Sequence, residues 1–164
     1  MMAKAQQRLT KLEQSSSSSI SWIIHDLNSE NQLPIADSSA DAIISTLVLE
    51  HIVSLDEFFQ PIFRLLKKNE ESWVFVTAMH PNMYQAGSQA GFIIDEKSGE
   101  KLCGISFDHS IEQIILAARK MHLTLIEYVE KGVHNDEDIQ RLGSRAKKWK
   151  GMNIHASFLF QIST

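Results

Sequence analysis

The sequence predicts an α/β domain built on an open sheet, and three observations carry that prediction. Ala42–Val48 and Trp73–Ala78 are apolar at nearly every residue, as strands covered on both faces are. An amphipathic helix with a clear start signal lies between them, and strand–helix–strand with buried strands implies a right-handed parallel crossover. The last segment, Ile154–Ile162, instead alternates: Ile154, Ala156, Phe158, Phe160 and Ile162 interleave with His155, Ser157 and Gln161, Leu159 being the exception. Alternation suits a strand with unequal faces that runs antiparallel to its neighbour. The expected sheet is mostly parallel with an antiparallel last strand.

In chain order, Met1–Leu12 is rich in Ala, Lys, Gln, Arg and Leu, contains no breaker and favours helix. The serine tract Ser15–Ser19 reads as a connector. Ile20–Asp26, β-branched and aromatic, reads as a strand that stops at the polar run Asn28–Asn31. Ser54 with Glu57 three residues on forms a capping box, and Leu55, Phe58, Phe59, Ile62, Phe63 and Leu66 make the apolar face of the helix that follows. Pro61, which lacks an amide donor, should kink it. Asn82–Asp108 holds four glycines and little periodicity, so it reads as a long loop, and long loops inside domains are usually functional. Ser110 and Gln113 make a second capping box, opening a helix with Ile111, Ile114, Ile115 and Ala118 turned inward. Leu123–Val129 reads as a strand, and Gly132–Gly151 as a polar, basic connection.

The 164 residues fit one domain, 43% hydrophobic and 22% charged, with enough length to bury a core. The division is a helix and serine linker over 1–19, strands and helix over 20–79, a substrate-side loop over 80–108, and closing helix and strands over 109–164. A net charge of −4 argues against nucleic acid as the main partner. A single cysteine, Cys103, cannot close an internal disulfide. The amino terminus is too polar for a signal peptide, and no apolar run approaches the roughly 18 to 20 residues of a membrane span. The expectation is a soluble, cytoplasmic protein with no membrane contact.

The stretch from Asp26-Leu27 through Leu33-Pro34-Ile35-Ala36-Asp37-Ser38-Ser39-Ala40-Asp41-Ala42-Ile43-Ile44-Ser45 to Leu47-Val48-Leu49-Glu50-His51-Ile52 resembles the middle of class I S-adenosylmethionine-dependent methyltransferases. The similarity is to the type 11 branch, which includes quinone-biosynthesis and other small-molecule enzymes. Phe63-Arg64-Leu65-Leu66-Lys67, His80-Pro81-Asn82-Met83 and Ser144-Arg145-Ala146-Lys147 are similar to later elements of that family. Each motif is weak alone; their order and spacing make the resemblance specific. It implies a Rossmann-like sheet, S-adenosylmethionine as cofactor, and a site beyond the carboxyl ends of the strands. It also implies that Asp26 and Leu27 flank the adenine, and that Thr46, with Leu47, faces the methionine part. Leu49, Glu50 and His51 would approach the methyl group or the substrate.

All seven glycines lie from Gly87 onward. The family places a glycine-rich turn after its first strand, where only glycine lets backbone approach the cofactor. By resemblance, the first strand–helix–strand unit is missing, Met1–Leu12 corresponds to the helix after the ribose-binding acid, and cofactor binding is impaired. Ala42–Val48 then becomes an exposed apolar edge, open to pairing with another chain. Lys67-Lys68-Asn69 replaces a turn that the family usually builds from Pro-Gly-Gly, and Asn69 is expected to supply the left-handed residue.

His51 and His80 are the candidates for a base that deprotonates an acceptor, with a hydrogen-bonded structural role standing beside catalysis for each. Tyr84 is a candidate for the substrate wall, or an anchor of its loop. His109 reads as structural. His122, His134 and His155 share no ligand spacing with acids or cysteine, so no metal site is expected. Cys103 has nothing beside it to activate a thiol. Arg141, Arg145, Lys147, Lys148, Lys150 and Trp149 form a basic aromatic patch that could hold RNA, but Asp136, Glu137 and Asp138 lie close by and favour a solvated face. The expected function is methyl transfer from S-adenosylmethionine to a small-molecule acceptor. The alternatives are a non-catalytic binding or regulatory protein of the same fold, and an RNA methyltransferase.

Overall fold

Residues 20–27, 32–88 and 91–163 are described by the structure, a computed structural model. The predicted helix over Met1–Leu12 and the serine connector lie outside these residues. Among the described residues four strands make the main sheet: β1 (Ala42–Thr46), β2 (Trp73–Met79), β5 (Leu123–Val133) and β6 (Met152–Ile162), in spatial order β1-β2-β6-β5. β2 is parallel to β1, and β6 is antiparallel to both β2 and β5. Three strands therefore run one way and the last runs against them, the predicted mixture. Chain order follows from connection length: the β1–β2 crossover carries a helix, as parallel neighbours require.

That helix is α1 (Leu55–Leu65). The Ser54 hydroxyl accepts from the Glu57 amide at 3.3 Å and sets its start. Its inward residues Phe58, Phe59 and Ile62 are buried. A second long helix, α3 (Ile111–Lys120), opens on a complete capping box: Ser110 accepts from the Gln113 amide, and the Gln113 side chain accepts from the Ser110 amide. Both helices cover one face of the sheet. Val74 and Val76 of β2 pair with Phe160 and Phe158 of β6, and all four are fully buried. Phe59 meets Phe160 edge to face with ring centres 5.8 Å apart. Removing one such aromatic from water is worth about 1.5–3 kcal/mol, so this cluster is a substantial part of the core.

Several expectations change. Ile20–Asp26 is not a strand: among the described residues it joins no ladder, and Ile24 is 85% exposed. β-branched composition favours a pleated surface only where a neighbouring strand supplies the hydrogen bonds. Ala42–Val48 contributes five residues to β1, and they are not covered on both faces; Ile44 is 66% exposed. β1 does stand at the sheet edge among the described strands, as expected. The long loop is partly ordered into a short helix α2 (Pro81–Gln85) and an antiparallel hairpin, β3 (Gly91–Asp95) with β4 (Glu100–Cys103). The basic connection contains α4 (Asp136–Leu142) and a 3-10 turn, Ser144–Trp149. Asn69 does not take the left-handed conformation; its carbonyl oxygen accepts from the Glu71 amide and the Ser72 hydroxyl, so the side chain makes the turn.

The segment before β1 is fastened by Arg64 near the end of α1. Its guanidinium donates to the carbonyls of Leu33 and Ile35, each at 2.9 Å, and to the Asp37 carboxylate. The backbone amides of Ser38, Ser39 and Ala40 bond to the carbonyls of Arg64 and Leu65. The Leu-Pro and Asp-Ser-Ser elements of the family pattern thus serve to lay the chain along α1 and aim it into β1.

At Gly132, where the β5–β6 register shifts, an added Cβ would lie 2.5 Å from the Met152 carbonyl oxygen and 2.5 Å from the His134 ring. Gly132→Ala should destabilise the fold by about 1–3 kcal/mol, the usual cost of overpacking, read as a lower midpoint in urea denaturation.

Candidate functional site

At the carboxyl end of β1 the chain leaves the sheet through Leu47, whose backbone is left-handed (φ 54°) and whose amide donates to the Thr77 carbonyl at 2.9 Å. A β-carbon in this region costs on the order of 1 kcal/mol, so the turn is held by its surroundings. A 3-10 turn, Leu49–His51, follows directly. β2 ends at Met79, and His80 caps α2. Between the two strand ends, and against the start of α3, lies a recess lined by Leu49, Glu50, Ala78, Tyr84, His109 and Ile114, among others. Ala78 pairs with Ala156, so small side chains stand where the next residues inward, Val76 and Phe158, are large. That change in size leaves the space.

The segment between β4 and α3 closes one side. The Phe107 amide donates to the Glu50 carbonyl at 2.9 Å, and His109 Nε2 donates to the Ile52 carbonyl at 2.7 Å. His109 is thus structural, as its position before the Ser110 cap indicated. Two buried side-chain oxygens have no hydrogen-bond partner among the described residues: Glu50 Oε2 and Thr77 Oγ1. Buried polar atoms left unpaired in a folded protein mark places where a ligand, ion or water completes the bonding. Glu50 lines the recess; Thr77 pairs in register with Thr46 and so faces the opposite side of the sheet.

His80 is buried, and both its ring nitrogens are engaged. Nδ1 accepts from the Asn82 amide at 3.1 Å, which leaves the proton on Nε2 to be donated to Glu130 Oε1 at 2.8 Å. Of its two candidate roles, the geometry provides the hydrogen-bonded one. The Tyr128 hydroxyl donates to the same Glu130 oxygen at 2.6 Å. Tyr128, and next His80, hold the Glu130 carboxyl below its usual range. Burial, and then Glu130, raise the Tyr128 hydroxyl far above its ordinary value, so it remains a donor. Glu130 and Tyr128 were not singled out in the sequence. Their spacing of two on a strand was the available signal, but nothing local marked His80 as their partner.

The structure gathers Leu49, Glu50 and Tyr84 at the recess, and places Thr46 and Leu47 at the adjoining strand end. His51 is exposed and does not line it; Asp26 and Leu27 are exposed in the segment that joins no described ladder. In the basic patch, Lys150 pairs with Asp136 at 2.5 Å and Arg141 with Asp138 at 3.1 Å, while Lys148 lies over the Trp149 ring. Part of its charge is therefore neutralised locally. No helix among the described residues is long and apolar enough to cross a membrane.

Comparison with known proteins adds to this geometry. Residues 1–71 match the family model described as a methyltransferase domain. A protein of Emericella nidulans named as an uncharacterized methyltransferase is 38% identical over 136 residues, which cover 77% of this chain and 46% of that protein. The chain is related to the class I S-adenosylmethionine-dependent methyltransferases and has their fold. It spans about half the length of the curated relative. An S-adenosylmethionine dependent methyltransferase from Mesorhizobium loti superposes with a TM-score of 0.64 at 14% identity, over 91% of this chain and 73% of that one. The [4+2]-cyclase SpnF superposes with a TM-score of 0.57 at 16% identity, over 98% and 62%. At such identities these structures establish the fold.

The depressed Glu130 carboxyl gives this methyltransferase-like domain a pH dependence of defined sign. Its folded value lies below the unfolded one of about 4.3, so the stability it contributes is present above that value. It is lost as pH falls through the folded value. The Glu130 side chain is 38% exposed, so the effect is modest and shrinks in salt. Denaturation midpoints of the wild type and Glu130→Gln should differ at neutral pH and converge as pH falls through the lowered Glu130 value.

Proposed function

We propose that this chain forms the acceptor-side part of a site for S-adenosylmethionine-dependent methyl transfer to a small molecule. The observation that carries the reading is the recess beyond the ends of β1 and β2, with the Glu50 oxygen buried and unpaired in its wall. Ligands of open α/β sheets bind at this end of the strands. The match to a methyltransferase domain over residues 1–71 and the fold support the reaction class.

The residues present fit part of the cofactor. S-adenosylmethionine carries an ammonium group and ribose hydroxyls, donors of the kind that the unpaired Glu50 oxygen in the recess lacks. Thr46 and Leu47 would border the methionine part, and Asp26 and Leu27 the adenine. When bound, the cofactor supplies a methyl group on a sulfonium, open to direct displacement by the acceptor. The chain's share is alignment and exclusion of water: Leu49 and Tyr84 wall the recess, and Glu50 accepts a hydrogen bond from a donor that enters it. With His80 committed at both nitrogens and His51 outside the recess, Glu50 is the one group of the expected site placed to take a proton there. No glycine precedes Gly87, so these 164 residues lack a close-approach turn for the cofactor and should bind it weakly.

The test is an amide NMR titration of the 164-residue chain with S-adenosylmethionine, carried into the millimolar range. Saturable shifts at Asp26, Leu27, Thr46 and Leu47 are expected. No response, or shifts confined to residues 136–150, would defeat the reading. A second reading, a non-catalytic protein that pairs through its sheet edge, draws on the exposure of Ile44 in β1. It predicts concentration-dependent self-association without cofactor response.

A further inference from the structure

His80 joins two elements that the chain separates widely. It follows β2 directly, and its amide donates to the Ile154 carbonyl of β6 at 3.1 Å. Its Nδ1 caps α2, whose Pro81 and Tyr84 line the recess. Its Nε2 reaches across to Glu130 on β5, 50 residues later in sequence. β6 lies between β2 and β5, so the bond spans a strand. The register permits this: Ala156 of β6 pairs with both Ala78 and Glu130, and its small side chain leaves room above it.

We propose that Glu130 is a positioning residue for the acceptor wall, acting through His80. An imidazole exists in two neutral forms, and only the one protonated at Nε2 can accept the Asn82 amide at Nδ1. Glu130, an acceptor facing Nε2, selects that form, because the other would set a nitrogen lone pair against a carboxylate. The chosen form makes His80 an effective N-cap, and the cap holds α2 at the site. α2 is only five residues long, too short to hold itself by its own hydrogen bonds. Tyr128 completes the arrangement by donating to Glu130 Oε1 from the same face of β5. The importance of α2 for an acceptor rests on the functional reading above; the control of α2 by Glu130 does not.

The sequence contains two tyrosines, Tyr84 and Tyr128, which makes the proposal measurable without cofactor or substrate. Tyrosine labelled with carbon-13 in the ring gives two signals, assigned with Tyr84→Phe, and nitrogen-15 labelling of histidine reads the protonated nitrogen of His80. In the wild type His80 should carry its proton on Nε2. Glu130→Gln, which keeps an acceptor oxygen, should preserve that form and the Tyr84 signal. Glu130→Leu should give a mixture of forms and move the Tyr84 signal toward that of free tyrosine, with the Tyr128 signal still dispersed. His80→Asn, which retains a capping oxygen but cannot reach Glu130, should move the Tyr84 signal in the same direction. An unchanged Tyr84 signal in folded Glu130→Leu or His80→Asn would overturn the proposal. So would global unfolding of both variants, which would assign the pair to the core instead of to α2. Failure of the cofactor titration would leave these outcomes untouched, so the two readings fall separately.

Discussion

The register between β2 and β6 is the constraint from which the rest of the structure follows. It sets Val74 opposite Phe160, Val76 opposite Phe158 and Ala78 opposite Ala156. Along one face the paired residues pass from large to small toward the carboxyl end of β2. The large end fills the core beneath α1 and α3, and the small end leaves the recess. A slip of one residue would turn Phe158 and Phe160 to the other face and close neither. Core and site are therefore two ends of a single packing decision.

The same register explains why the polar groups of the site cluster where they do. Side chains at the small end have no bulky neighbour to exclude them, so His80 can enter and reach Glu130 over Ala156. Desolvation makes each hydrogen bond there costly to leave unmade, and His80, Glu130 and Tyr128 satisfy one another. Glu50 Oε2 is the exception in the recess. Thr77 Oγ1, on the other side of the sheet, is the second buried side-chain oxygen without a partner among the described residues.

Much of the architecture was legible in the sequence because local signals and tertiary demands agreed. The Ser54 and Ser110 caps, the apolar stripe of α1, and the alternation of Ile154–Ile162 each have a local physical cause and appear where expected. Ile20–Asp26 misled because β-branched residues announce a strand without supplying its partner. Asn69 misled in a smaller way, since its side chain turns the chain without a left-handed backbone. The hairpin of β3 and β4 was obscured by its glycines, of which Gly99 takes the left-handed conformation in the turn.

For the site, the order of motifs from Asp26 to Ile52 led to the strand ends, and Leu49, Glu50 and Tyr84 meet there. Residue type alone set the two histidines level as candidates. Only the folded chain separated them, by burying His80 between an amide and a carboxylate and leaving His51 in the open. The sequence by itself determined the resemblance to methyltransferases, the class of fold and that Thr46, Leu47, Leu49 and Glu50 stand at or just beyond a strand end, because these depend on periodicity and on order along the chain. Tertiary structure decided which side chains pair, which oxygens are left unpaired and which histidine is buried between two partners. Those properties depend on partners dozens of residues away, and no local pattern records them.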